Sequence, residues 1–281
     1  MCSHSPEPAG PSGVVRVVVL VKQVPAVTQV SVDEVTGNLL RAGVRSVMNP
    51  YDLFALEAAL RLRDSEVARV TAVSMGPPKA REVLKYALAL GVDDAVLLTD
   101  QAFAGSDTWA TSAVLQAAVR RLGPEVILCG RQAIDGDTGQ VPLELAVRLS
   151  VPCVTRVLAI EAVDRETVVV RRRVEGFEEV VESVVPAVLT VEEKSCTPRL
   201  PTLEGISVVG GRRPVVFGAR ELGLDPADVG SLGSPTRVVS VRPALPAGGG
   251  IILEGSPETQ VRELVRRLND AGCFAPHPGE A

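Results

Sequence analysis

Val14–Val21 reads VVRVVVLV, an apolar run interrupted once, by Arg16. A strand with one face in water alternates apolar and polar residues, so a nearly continuous run marks a strand covered on both faces. Three later runs repeat the pattern: Val70–Ser74 (VTAVS), Ala95–Leu98 (AVLL) and Val126–Cys129 (VILC). The segments between them have helical spacing. In Tyr51–Arg63, Leu53, Leu56 and Leu60 share a face, and Glu57 stands one turn before Arg61. In Pro77–Leu90, prolines suit the first turn, Val83, Leu84, Ala87 and Leu88 form one face, and Gly91 ends the pattern. Asp107–Leu122 and Gln140–Leu149 follow the same plan. Strand and helix in regular alternation predict an α/β protein with a doubly wound, mostly parallel sheet.

After Pro152 the rhythm changes. Arg156–Ala162, Thr167–Val174, Glu179–Val185 and Ala187–Val191 read as consecutive strands, with turns at Asp164–Glu166 and Glu175–Gly176, and predict hairpins that extend or flank the sheet. From Thr197 to Gly250 the chain is rich in Pro, Gly and Arg with little periodicity. So long an irregular stretch suits an arm laid over another subunit better than the inside of a compact domain. Ser256–Leu268 predicts a last helix, capped by Ser256, with Val261, Leu264, Val265 and Leu268 on one face, packed on its own domain or on a partner. The expected organisation is a disordered extension at 1–13, a nucleotide-binding domain at 14–196, and an arm with a terminal helix at 197–281.

Composition narrows the chemistry. The 281 residues carry 34 acidic and 29 basic side chains, a net charge of −5, and few aromatics, which argues against nucleic-acid binding. The two histidines, His4 and His277, lie near the ends, so histidine triads and zinc sites are not expected. Cys2, Cys129, Cys153, Cys196 and Cys273 are odd in number and scattered, as expected of reduced thiols in a cytoplasmic protein. No apolar run approaches the roughly 20 residues of a membrane helix, so membrane insertion is not expected.

Open parallel sheets bind ligands beyond the carboxyl ends of their strands. Those ends run into Lys22–Pro25, Ser74–Pro78, Asp100–Thr108 and Gly130–Gln140, all rich in Gly, Pro or Asp. GxGxxG does not follow the first strand and GxxxxGK[ST] is absent, which disfavours an ordinary dinucleotide fold and a P-loop. In Gly130–Gln140 (GRQAIDGDTGQ) glycines allow sharp turns, and Thr138-Gly139-Gln140 opens a helix whose free amides suit a phosphate. The same residues also read simply as a turn with a helix cap. Asp135 and Asp137 offer acceptors for ribose hydroxyls; a metal there lacks a nearby His or Glu. Asn49-Pro50-Tyr51-Asp52 reads as a helix-starting turn near the strand ends, and Cys129, among apolar neighbours, as a buried thiol. The residues alone describe an adenine-nucleotide-binding α/β domain without a catalytic constellation.

Val21–Pro25 (VKQVP), Met48-Asn49-Pro50, Val73–Pro78 (VSMGPP) and above all Gly130–Gln140 resemble the beta subunit of electron-transfer flavoprotein, in order and spacing, from about Val14 to the final helix. The resemblance implies a Rossmann-like domain and a heterodimer with an alpha subunit that carries FAD. It further implies a docking surface for a flavin dehydrogenase, such as the acyl-CoA type. Family members hold either AMP or a second FAD in the beta site; in electron-bifurcating members that FAD takes a hydride from NADH and its two electrons part ways. Ala102–Ser112 (AFAGSDTWATS) and Asp135–Thr138 resemble the bifurcating group, so FAD is expected, with AMP the alternative. Carried over by position, the cofactor contacts are Leu20, Asn49, Pro50, Tyr51, Asp52, Met75, Gly130, Arg131, Gln132, Ala133, Ile134, Asp135, Gly136, Asp137, Thr138, Gly139, Gln140 and Val141, joined by Asp107 and Thr108 for a flavin. No catalytic acid or base and no metal is implied.

The chain departs from the family at two places. Val141-Pro142-Leu143 replaces the usual Gly-Pro step, and Ser195–Leu200 (SCTPRL) replaces the partner-recognition loop, with Ser195 where an apolar docking residue is usual. Two rival readings explain less. A nucleotide-binding stress-type regulatory protein has no need of the arm, and an adenylating enzyme requires a pyrophosphate loop that is absent.

Overall fold

The computed structural model describes residues 13–26, 46–239 and 250–274. The extension expected at 1–13, apart from Gly13, and both histidines lie outside the described residues. They fall into two compact units divided at Val239 and Ser240.

In the first unit the strands are β1 (Val15–Leu20), β2 (Gln23–Pro25), β3 (Ser46–Met48), β4 (Ala68–Met75), β5 (Asp94–Leu98), β6 (Val126–Gly130), β7 (Cys153–Val163), β8 (Thr167–Val174), β9 (Phe177–Val184), β10 (Ala187–Val191) and β11 (Val215–Phe217). The helices are α1 (Pro50–Asp64), α2 (Arg81–Leu90), α3 (Thr108–Leu122), α4 (Val141–Leu149), α5 (Leu203–Val209) and α6 (Ala219–Leu222). One nine-stranded sheet runs β11-β5-β4-β1-β6-β10-β7-β8-β9, and β2 pairs with β3 in a small separate hairpin. Only the β7–β8 and β8–β9 pairings of the large sheet are antiparallel.

The apolar run that opens the domain is the inner strand β1, flanked by β4 and β6. Because successive side chains of a strand point to opposite faces, β1 feeds two cores. Val15, Val17 and Val19 join one with α1 and α2; Val18 joins the other with α3 and α4. Strand β6 divides the same way, Val126 and Leu128 to the first core, Ile127 and Cys129 to the second. Each such buried aliphatic side chain contributes about 1.5–3 kcal/mol relative to exposure.

Two expectations change. Strands β7, β8 and β9 do form an antiparallel meander, but β10 does not continue it: it inserts between β6 and β7, parallel to both. Its sequence, AVLTV, is buried at every position, which suits an inner strand covered on both faces. The segment after 196 is also more ordered than its composition suggests, and the first unit continues through it to Val239. Strand β11 extends the sheet beyond β5, with Phe217 buried beneath the Arg121 guanidinium, 4.9 Å from its centroid. Gly205 lets α5 approach the Ala89 carbonyl, where a Cβ would collide. Pro, Gly and Arg here mark tight connections, and three-residue strands are too short to show a period.

In the second unit, α7 (Pro257–Asp270) starts as expected at Ser256, whose hydroxyl accepts the Thr259 amide at 3.4 Å, and runs two residues past the expected Leu268. It buries none of its residues, and Val261, Leu264 and Val265 are exposed on one face.

Candidate functional site

The chain passes from β1 outward to β4 and β5, then returns to the other side of β1 as β6. Strand order therefore reverses between β1 and β6, and their carboxyl ends, Leu20 and Cys129, stand side by side in register. This is the topological switch point where a parallel sheet leaves a crevice for a ligand.

A buried polar knot closes the base of that crevice. Asn49 and Asp52, at the start of α1, are both buried. The Asp52 carboxylate accepts the Lys22 amide at 2.7 Å and the Asn49 side-chain amide at 2.8 Å. The same Asn49 nitrogen donates to the Gln132 carbonyl at 2.8 Å, while its oxygen accepts the Ile134 amide at 3.2 Å. Two side chains of one helix turn thus tie the end of β1 to the loop after β6. Burial pushes the Asp52 carboxyl up to about 7, against the lowering effect of hydrogen bonds from Asn49 and from the Lys22 and Gly130 amides and of the Lys22 charge. Gly130 is required here by space: a Cβ would lie 2.8 Å from the Tyr51 carbonyl carbon and nearer still to Asp52 Oδ1.

Beyond the knot the loop is open. Asp135, Gly136, Asp137 and Thr138 are exposed, and Asp137 and Gly139 hold left-handed conformations with φ of +52° and +62°. The Asp137 amide reaches the Ala133 carbonyl at 2.8 Å and its carboxylate accepts the Gln132 side-chain amide. Among the described residues the amides of Gly136, Thr138 and Gly139 have no acceptor, so the donors a phosphate requires are free. Two cations flank them. Lys22 Nζ pairs with Asp135 at 2.7 Å. Arg131 lies 6.0 Å from the Tyr51 ring centroid and 3.3 Å from Glu192. Burial would raise the Glu192 carboxyl, but hydrogen bonds from Arg156, the Glu193 amide and Arg131, with the Arg156 charge, hold it below the carboxylate range.

The loop after β5 joins the crevice through α3. The Thr108 hydroxyl lies 3.2 Å from Gln140 Oε1 and 2.9 Å from Glu144 Oε1, which links the starts of α3 and α4. The second Glu144 oxygen is buried without a partner. Asp107 is engaged within the chain: its carboxylate caps α3 through the Ala110 amide at 3.0 Å and accepts the Thr236 amide at 3.0 Å and hydroxyl at 2.8 Å.

Of the residues expected from sequence, Asn49, Asp52, Gly130, Gln132 and Ile134 meet in the knot, with Pro50 and Tyr51 in the same helix turn. Ala133, Asp135, Gly136, Asp137, Thr138, Gly139 and Gln140 form the open loop, and Val141 begins α4. Leu20 and Met75, at the ends of β1 and β4, pack against the second core. Cys129 is buried there too, and burial raises its thiol well above the usual range, with smaller effects from the Asp52 and Cys153 charges. Sequence reasoning did not assign Lys22, Glu144, Glu192 or Thr236 to the site. Lys22 follows the first strand and was open to detection; the other three carry no local signal.

Comparison with known proteins gives consistent results. The family described as electron transfer flavoprotein domain matches residues 36–210. The chain is similar to the electron transfer flavoprotein subunit beta of Thermoanaerobacterium thermosaccharolyticum, with 41% identity over 90% of this chain and 98% of the relative. It is 40% identical to the caffeyl-CoA reductase-Etf complex subunit CarD of Acetobacterium woodii, over 91% and 98% of the two chains. With the acryloyl-CoA reductase electron transfer subunit gamma of Anaerotignum propionicum it shares 37% identity, over 90% and 97%.

Proposed function

The chain belongs to the electron transfer flavoprotein family, as a beta subunit, and on that premise we propose that its switch-point crevice binds FAD. In this reading it passes electrons between NADH or a dehydrogenase and the FAD of an alpha subunit, in the bifurcating manner, in the cytoplasm. The carrying observation is the joining of two loops, those after β5 and β6, through Thr108, Gln140 and Glu144, which brings the segment expected to contact a flavin beside the glycine-rich loop. Relatives named for caffeyl-CoA and acryloyl-CoA reductases support a partner enzyme that acts on acyl-CoA compounds.

Bound FAD supplies the capacity to accept a hydride and release single electrons. The chain's own work is to bind and orient. The free amides of Gly136, Thr138 and Gly139 hold phosphate oxygens, with Lys22 and Arg131 adding positive charge. Asn49 and Asp52 fix the spacing of β1 and the β6 loop before any ligand arrives, so little ordering cost remains for binding. Tyr51, Leu20 and Met75 line the adenosine end. No side chain is asked to be a general acid or base. The exposed face of α7 and the segment from 197 onward dock on the alpha subunit.

The test is co-expression with the alpha subunit, followed by counting the nucleotides released on denaturation. Two FAD per heterodimer is the expected result, with the second flavin reduced by NADH in stopped flow. One FAD and one AMP would establish an AMP-binding subunit and overturn this reading.

A further inference from the structure

Residues 229–236 read in sequence as part of a loose arm, yet they clasp the loop after β5. Val229 is fully buried in the second core, and Phe103, from the start of that loop, is buried in the same core. Gly230 and Gly105 both hold left-handed conformations, with φ of +62° and +75°. A Cβ on Gly230 would collide with the Ala102 carbonyl, and one on Gly105 would lie 3.1 Å from the Ser231 Cβ, so glycine at both positions permits the close approach. The Ser231 amide donates to the Ala104 carbonyl at 2.9 Å. Two side chains lock the contact. The Ser234 hydroxyl accepts the Asp107 amide at 2.8 Å and donates to the Gly230 carbonyl at 2.6 Å. Thr236 donates both its amide, at 3.0 Å, and its hydroxyl, at 2.8 Å, to one oxygen of Asp107.

The other Asp107 oxygen accepts the Ala110 amide at 3.0 Å, so this side chain is tied to the strap on one side and to α3 on the other. Its neighbour Thr108 is the residue that reaches across to α4, through Gln140 at 3.2 Å and Glu144 at 2.9 Å. Consecutive residues share a planar peptide, so fixing the amide and carboxylate of Asp107 fixes where Thr108 begins. We propose that Ser234 and Thr236 are positioning residues of the crevice: they hold Asp107 from behind, and Asp107 holds Thr108 where it meets α4 and a flavin. A ligand that ends at its phosphate is held by the knot and the glycine-rich loop and has no need of this support. One that extends past the pyrophosphate meets a loop already ordered, and so loses less freedom on binding. That the crevice takes the longer ligand rests on the function proposed above; the clasp on Thr108 does not.

The test uses the heterodimer, stripped of the nucleotide in its beta site. In Thr236→Val and in Ser234→Ala, hydrogen exchange read by mass spectrometry should rise several-fold over residues 102–108 and stay unchanged over residues 130–140. By equilibrium dialysis, Thr236→Val should bind FAD about tenfold more weakly, the scale of one hydrogen bond, while AMP binds as in the parent. Thr236→Ser keeps the hydroxyl and should restore both readouts. Thr108→Val should weaken FAD by a similar factor, and adding Thr236→Val to it should weaken FAD no further, since the second residue acts through the first. Additive losses, equal losses of FAD and AMP, or exchange over residues 102–108 that matches the parent would each overturn the positioning role. A parent heterodimer that takes AMP and no second FAD would overturn the proposed cofactor. In that case raised exchange in Thr236→Val, reversed in Thr236→Ser, would still uphold the clasp on Thr108, and unaltered exchange would overturn it as well.

Discussion

The knot at the strand ends and the segment from Pro198 to Val239 are both held to the same domain by polar contacts, yet by different means. At the knot, Asn49 and Asp52 are buried, and beyond the bond between them their bonds to Lys22, Gln132 and Ile134 cross between elements distant in sequence. The later segment contributes β11 and buried Phe217, Ala219 and Val229 to the domain, but its polar anchors are helix caps and pairs with at least one partly exposed member, such as Asp107 with Thr236 and Arg199 with buried Glu57 and with Asp64. A buried polar group that loses its partner cannot turn to water, whereas an exposed one can. Opening the knot therefore costs more than releasing the polar anchors of the later segment.

The sharpest way to break this contrast is Gly130→Ala. A Cβ there must displace the first turn of α1, so stability should fall by about 3 kcal/mol or more in chemical denaturation, with retained nucleotide falling to near zero. Asp52→Asn comes next. The variant places an NH2 group where Asp52 has its second oxygen, and the orphaned donor should cost about 2 kcal/mol at a pH below about 7. It also carries a pH signature. Because the folded Asp52 holds its proton up to about 7, above its ordinary 3.8, its stabilising contribution is full below about pH 3.8 and is lost as pH rises through about 7. Relative to Asp52→Asn, the parent protein should lose melting temperature across that window; parallel curves would contradict the buried carboxylate. Asp107→Ala removes a helix cap and the anchor of Thr236, for about 1 kcal/mol of stability. Limited proteolysis of that variant should cut near Gly230–Val239 before the core opens. Lys22→Ala should have the smallest effect, within about 0–1 kcal/mol, because its pair with Asp135 is exposed. Nucleotide affinity should nevertheless drop and become less sensitive to salt, a separation that the knot residues will not show.

The same contrast explains what the sequence made legible. The inner strands β1, β4, β5 and β6 and helices α1 to α4 announce themselves because burial on both faces and helical amphipathicity leave long local patterns. The glycine-rich loop after β6 was visible because its turns need particular residues. The strut role of Asp52 was not: the residue lies among ordinary helix-start chemistry, and its meaning comes from the Lys22 amide thirty positions earlier. Glu192 and Thr236 likewise take their place through distant partners, Arg156 and Asp107. Strand β10 had a clear strand pattern but gave no hint of its neighbours, since a run such as AVLTV fits any inner position.

That placement of β10 governs how the chain can fold during synthesis. Strand β6 has β1 on one side, but its other side stays unpaired until residues 187–191 leave the ribosome, by which time the β7–β9 meander is already available to form from local contacts. The meander must therefore hold apart from β6 until β10 slides between them. Pairings of such sequence separation form slowly, and an open apolar edge is a template for aggregation in the interval. A nascent chain arrested before Ala187 should accordingly cling to chaperones, and one arrested after Val191 should be released.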